Sequence, residues 1–294
     1  MSKKSSEISE VKTIEKAPDR IAALAKIQEY EKNQWWTKDI EDDPPTIPLT
    51  PDQVDYGHRK LISKIKCEFA NIIAWRFIKN LVKTEQMILG PTEGLENFAA
   101  LKNQGIIMTC NHFNAFDNFA IQYEIDKYLK HHVYWRVIRE GNYTSFPGFY
   151  GFLFRNSNTL PLSKNFSTQK KFMEGLSYLL KKKQKILVYA EQGMWWNYRK
   201  PRPVTPGAYK FAVDNNVPVL PMFITMKDTD KIGGDGFPIQ EYTLHILKPI
   251  YPDANKSPKE NIRSMANQNY QMWKEVYEKV YGIPLTYISN EETN

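Results

Sequence analysis

The chain has 294 residues, a formal net charge of +7 and a pI near 9.1. With 41% apolar and 13% aromatic residues, it can fill either one large α/β domain with a terminal appendage or two small domains. Two cysteines, Cys67 and Cys110, exclude a disulfide framework or a metal site and read as small buried hydrophobes. The sequence has no run of some 18 apolar residues, so no transmembrane helix is expected, and no nucleic-acid-binding signature. The positive balance suits an anionic membrane surface or an acidic carrier protein.

Residues 1–18 are polar, lack the apolar core of a signal peptide and are expected to be disordered. Residues 19–83 form an appendage. Within it, Asp19–Trp36 reads as a helix with a modest apolar face around Ile21, Leu24, Ala25 and Ile27. Asp39–Asp55 is a proline-rich acidic connector that must run extended. In His58–Val82 the residues Leu61, Ile62, Ile65, Phe69, Ile72 and Ile73 fall on one helical sector about 120° wide. Arg59, Lys60, Lys64 and Lys66 flank it. A basic amphipathic helix of this kind either lies in a lipid headgroup region or packs its apolar face on the domain.

Residues 84–285 form the main domain and 286–294 a tail. Apolar runs at Gly105–Cys110, Val133–Ile138, Thr159–Leu162, Ile186–Ala190, Pro218–Thr225 and Tyr242–Leu247 read as strands. Helical patterns fill Phe116–Leu129, Ser167–Lys182, Gly207–Asn215 and Pro258–Tyr281. Their alternation predicts an α/β fold, a central mixed sheet flanked by helices. Asn142–Phe154 is aromatic and reads as a loop or short helix at an apolar pocket. Gly233–Gly236 is a turn. Lys181–Lys183 and Lys185 read as a solvated helix end or a docking face for an acidic carrier. His131-His132 after Lys130 suit a helix C-terminus rather than a metal.

The stretch Gly105–Asp117, GIIMTCNHFNAFD, organises the rest. In one regular helix, residues five apart point about 140° from each other, so His112 and Asp117 would not meet. If His112 ends a strand and Asp117 opens a helix, the chain folds back and they touch. The carboxylate then keeps one imidazole nitrogen protonated, and the other is free to take a proton from a substrate hydroxyl.

Three stretches follow His112 in order: NTLPLSK (158–164), VYAEQG (188–193) and VPVLP (217–221). Together with NHFNAFD they resemble the four blocks of the glycerophospholipid acyltransferases of the 1-acylglycerol-3-phosphate acyltransferase type. The resemblance covers roughly residues 90–247. It implies His112 as general base on an acceptor hydroxyl, supported by Asp117, with direct attack on an acyl thioester and no acyl-enzyme. It also implies acceptor-binding roles for Asn111, Lys164 and Glu191, with Arg155 as a substitute cation, and anion-facing backbone amides near Gly193.

The third block departs from the family pattern. Where its arginine is expected the chain has Met194-Trp195-Trp196, and the nearest cations are Arg199, Lys200 and Arg202. Any one of the three is a candidate replacement, and Arg199 is counted among the acceptor-binding residues. The alternative is an acceptor without a phosphomonoester, such as a glycolipid. A catalytically inactive lipid-binding relative is a further alternative. The expected protein needs no cofactor, uses acyl-CoA or acyl-carrier protein as donor, and rests peripherally on the cytoplasmic face of a bacterial membrane.

Overall fold

The computed structural model describes residues 14–41, 46–129 and 133–288. Of residues 1–18, expected to be disordered, 1–13 lie outside the described residues, as do part of the connector (42–45), the pair His131-His132 with Lys130, and residues 289–294, whereas Ala17 N donates to Asp235 O and Pro18 begins a helix.

Two helices come first, α1 (Pro18–Lys32) and α2 (Leu61–Lys83). The domain then runs β1 (Ile88–Leu89), α3 (Leu95–Ala100), β2 (Ile106–Thr109), α4 (Asp117–Leu129), β3 (Trp135–Arg139), α5 (Glu140–Thr144), α6 (Gly148–Asn156) and β4 (Thr159–Leu162). It continues with α7 (Phe166–Lys181), β5 (Lys185–Val188), α8 (Gly207–Asn215), β6 (Val219–Ile232), β7 (Pro238–Ile246) and α9 (Pro258–Tyr281). The strands form one seven-stranded sheet in the order β1-β7-β6-β2-β5-β3-β4. Every neighbouring pair is parallel except the antiparallel β6–β7 ladder, so the sheet is mixed.

Strand alternation divides the core. Met108, Leu187, Leu220 and Ile224 face α2, α3 and α4. Ile107, Ile186, Val219 and Phe223 face α7, α8 and α9 with Phe172, Phe211 and Trp273. The central strands are buried on both faces, as covered parallel strands must be. α9 is fixed by its ends. Ser257 and Glu260 make a capping box, Pro258 opens the first turn, and Gly282 takes the left-handed conformation that closes it.

The differences from expectation have local causes. β1, α3 and α5 span two, six and five residues, too short to show a period. α1 stops at Lys32 rather than Trp36, and Gln34 has a positive φ of 56°. β6 runs on to Ile232 through residues exposed to solvent, whose polarity hid the strand. Lys185 is not part of a solvated run. It is buried, and its Nζ donates to the carbonyls of Lys102, Gln104 and Lys183 at 2.7–2.8 Å.

Candidate active site

β2 ends at Thr109 in the middle of the sheet. Asn111 then extends its pairing with β6 by side chain, donating to Ile224 O (3.0 Å) and accepting from Ile224 N (2.8 Å). Both ends of this buried amide are thus used in holding the strand end. His112 follows, and the chain turns back through Asn114, whose Oδ1 accepts from Phe116 N at 3.1 Å. Asp117 opens α4 with no solvent exposure.

His112 Nδ1 lies 2.7 Å from Asp117 Oδ2. A carboxylate only accepts, so Nδ1 carries the proton and Nε2 is left as the basic nitrogen. The same Oδ2 accepts from Phe113 N (3.2 Å) and Asn114 N (3.4 Å), and Oδ1 accepts from the Tyr189 hydroxyl. The imidazole is 21% exposed, and Nε2 has no hydrogen-bond partner among the described residues. The pair can therefore accept a proton from a hydroxyl placed at Nε2.

Glu191 lies beneath this loop. Its Oε2 accepts from His112 N (3.0 Å) and Arg202 Nη2 (2.9 Å), and its Oε1 from Arg202 N (2.7 Å). Arg202 is fully buried and also donates to the carbonyls of Trp36 (2.7 Å), His112 (3.3 Å) and Gly193. Burial lowers its pKa from the ordinary guanidinium range, and the Glu191 carboxylate offsets part of that. Arg202, not Arg199, therefore makes the ion pair with the third-block glutamate. Arg199 instead reaches Asp228 (2.7 Å) and Gln240 (3.1 Å) on the β6–β7 ladder.

Gly193 is a close-approach glycine. A Cβ there would lie 2.4 Å from Lys38 O, because residues 36–40 cross directly over it. Its amide donates to Glu191 O, Met194 N to Asp39 Oδ1, and Trp195 N to His112 O. The backbone amides of Gly193, Met194 and Trp195, expected here to face an anion, are thus each taken by protein acceptors. Trp195 is buried with Ala23, Ile27 and Ile40, and its Nε1 donates to Lys38 O at 2.8 Å. It is core rather than groove lining.

Neither of the other two expected cations is bonded to the dyad among the described residues. Arg155 donates to the carbonyls of Tyr143 (3.3 Å) and Phe146 (3.1 Å). Lys164 is exposed just beyond β4, three strands from β2, which at about 4.8 Å per strand places its backbone roughly 14 Å from that of His112.

Two residues the sequence reading passed over belong to this face. Tyr189 stacks on His112, with ring centroids 3.8 Å apart and planes 14° from parallel. Arg136 pairs in register with Leu187, itself opposite Met108, and donates to Asn118 Oδ1 (2.6 Å) and Ser157 Oγ (3.1 Å). Alternation along β5 and a charge within an apolar strand were the available signals.

Residues 92–225 match the family model described as Acyltransferase. The fold is similar to the crystal structure of the 1-acyl-sn-glycerophosphate (LPA) acyltransferase PlsC from Thermotoga maritima. The TM-score is 0.51 at 19% identity, over 74% of this chain and 81% of that one. No curated protein matches the chain by sequence. Residues 92–225 thus match the Acyltransferase family model, within a mixed α/β fold that the chain shares with PlsC.

Proposed function

We propose that the protein moves a fatty acyl group from an acyl thioester, on CoA or acyl-carrier protein, to a hydroxyl of a lysophospholipid-type acceptor. His112 Nε2 takes the hydroxyl proton as the acceptor oxygen attacks the thioester carbonyl. The new C–O bond forms, the C–S bond breaks, and the imidazolium returns the proton to the departing thiolate. Asp117 holds the tautomer and offsets the transient positive charge. The observation that carries this reading is the His112 Nδ1–Asp117 Oδ2 contact of 2.7 Å with Nε2 unpartnered among the described residues. Purified protein with either donor and lysophosphatidic acid should form an acylated product, and His112→Ala should lower kcat/KM by about 10²-fold or more. Product formation unchanged in that variant would refute the assignment.

One observation favours a second reading of the acceptor. The guanidinium of Arg202, which pairs the third-block glutamate, is fully buried and turned to Glu191 and backbone carbonyls, so it is not presented to a phosphate. Arg199 is held by Asp228 and Gln240. This supports an acceptor bound through groups other than a phosphomonoester, a glycolipid among them. Turnover of lysophosphatidic acid beside a neutral glycolipid decides, since saturable transfer to the former alone removes this reading.

The protein would meet its lipid at a membrane surface through α2. Leu61, Ile62, Ile65, Phe69 and Ile72 are between 52% and 73% exposed, while Cys67, Ala70, Ile78 and Leu81 face the domain. An apolar stripe in water with Lys60, Lys64 and Lys66 beside it suits an anionic headgroup layer. No helix among the described residues is long and apolar enough to cross a membrane.

A further inference from the structure

Asp117 uses both carboxylate oxygens. Oδ2 takes the His112 Nδ1–H and two backbone amides, and Oδ1 takes the hydroxyl of Tyr189. That tyrosine also lays its ring on the imidazole. One side chain therefore touches both members of the dyad, the acid through its hydroxyl and the base through its face. Its position follows from the sheet. Thr109 pairs with Val188, so Cys110 and Tyr189 leave β2 and β5 side by side and on the same face. A phenylalanine would stack equally well, but only the hydroxyl reaches Oδ1.

We propose that Tyr189 is a positioning residue for acyl transfer, fixing the imidazole plane by stacking and moderating the basicity of His112 by donating its hydroxyl to Asp117. This rests on the reading of His112 as general base. A carboxylate that shares its charge with a hydroxyl accepts the Nδ1 proton less strongly and stabilises an imidazolium less. The other groups around the pair are Cys110 just after β2, Tyr134 before β3, Arg136 on β3, which donates to Asn118 Oδ1, Tyr242 on β7, Glu191 after β5 and Arg202. Burial raises Cys110, Tyr134, Tyr189 and Tyr242 well above their ordinary ranges, so all four stay neutral. Glu191 and Arg202 compensate each other. The Tyr189 hydroxyl is thus the group whose removal alters Asp117 directly.

The test is Tyr189→Phe, which keeps the ring, beside a protein carrying ring-fluorinated tyrosine at 189, whose hydroxyl is a stronger donor. In the phenylalanine variant the acid limb of the kcat/KM profile should move to higher pH. The His112 Nδ1-bound proton resonance should move downfield, and KM should stay within about twofold, since the hydroxyl removed is turned to Asp117 and the ring is kept. The fluorinated protein should shift limb and resonance the opposite way. A merely structural tyrosine would lower kcat evenly across pH and move neither limb nor resonance, and that result would overturn the proposal. If the wild type transfers no acyl group, the functional reading fails, while the resonance comparison still judges the Tyr189–Asp117–His112 link.

Discussion

A guanidinium sealed from water has to find all its partners in the protein. Arg202 does so with one carboxylate and three carbonyls, and it ties the His112 loop, the third-block turn and the chain at Trp36 to one point. Removing one partner of a buried ion pair leaves the other charge uncompensated. Arg202→Met is expected to cost about 3–5 kcal/mol in a denaturant titration. Arg202→Lys should recover only part of this, because a point charge cannot reach several acceptors in the guanidinium's fork geometry. Stability equal to wild type in Arg202→Met would contradict the role. Asn111 makes a smaller, similar case. Asn111→Ala leaves Ile224 N and O unpaired in the core and should cost about 1–3 kcal/mol by the same measurement.

At this scale the sequence was partly legible. His112 and Asp117 were readable because their partnership is local: a strand end, a turn and a helix start bring a five-residue spacing together. The Glu191–Arg202 pair spans eleven residues through a loop, so the sequence could place several cations nearby without saying which one turns inward. Nothing local distinguishes Arg199, which turns to the β6–β7 ladder, from Arg202.

Among the elements, α2 and the segment after α1 behave unlike ordinary surface pieces. α2 buries Cys67, Ala70, Ile78 and Leu81 and leaves its strongest apolar stripe in water. Replacing Ile65 and Phe69 together by Asp removes two large apolar groups from that stripe and adds repulsion from anionic lipid. Binding to anionic vesicles should fall by about tenfold or more, measured by flotation, with little change in melting temperature because neither side chain is buried. Equal flotation would show that another surface makes the contact. The segment at residues 36–40 is the opposite case, a connector fastened to the third block. Trp36 O, Lys38 O and Asp39 Oδ1 take donors from Arg202, Trp195 and Met194, and the approach is close enough to require Gly193. Gly193→Ala must push that backbone away, and a lower melting temperature is expected.

Over the whole molecule, the order of strands and helices was legible because buried parallel strands and their covering helices carry strong patterns. Gly207–Asn215, Pro258–Tyr281 and Thr159–Leu162 have the bounds expected of them. The elements that escaped notice, β1, α3 and α5, are set by contacts across the fold rather than by their own few residues. β1 exists because residues 88–89 lie against Glu241 and Tyr242 at the sheet edge. The sheet brings His112, Glu191 and Tyr189 to the ends of two adjacent strands, whereas Lys164, two strands beyond β5, stays in solvent. The His112–Asp117 pair was easier to read because its two members are local in sequence, whereas the place of Lys164 is set by the order of the strands.

The central claim is that His112 performs acyl transfer, and one assay reaches it directly. Purified protein is given acyl-CoA or acyl-carrier protein, with lysophosphatidic acid or a mixed lipid extract, beside His112→Ala. A new acylated lipid that disappears in the variant is the predicted result, and its mass identifies the acceptor. Lipid binding with no product from either donor, or a product that persists in His112→Ala, would contradict the account.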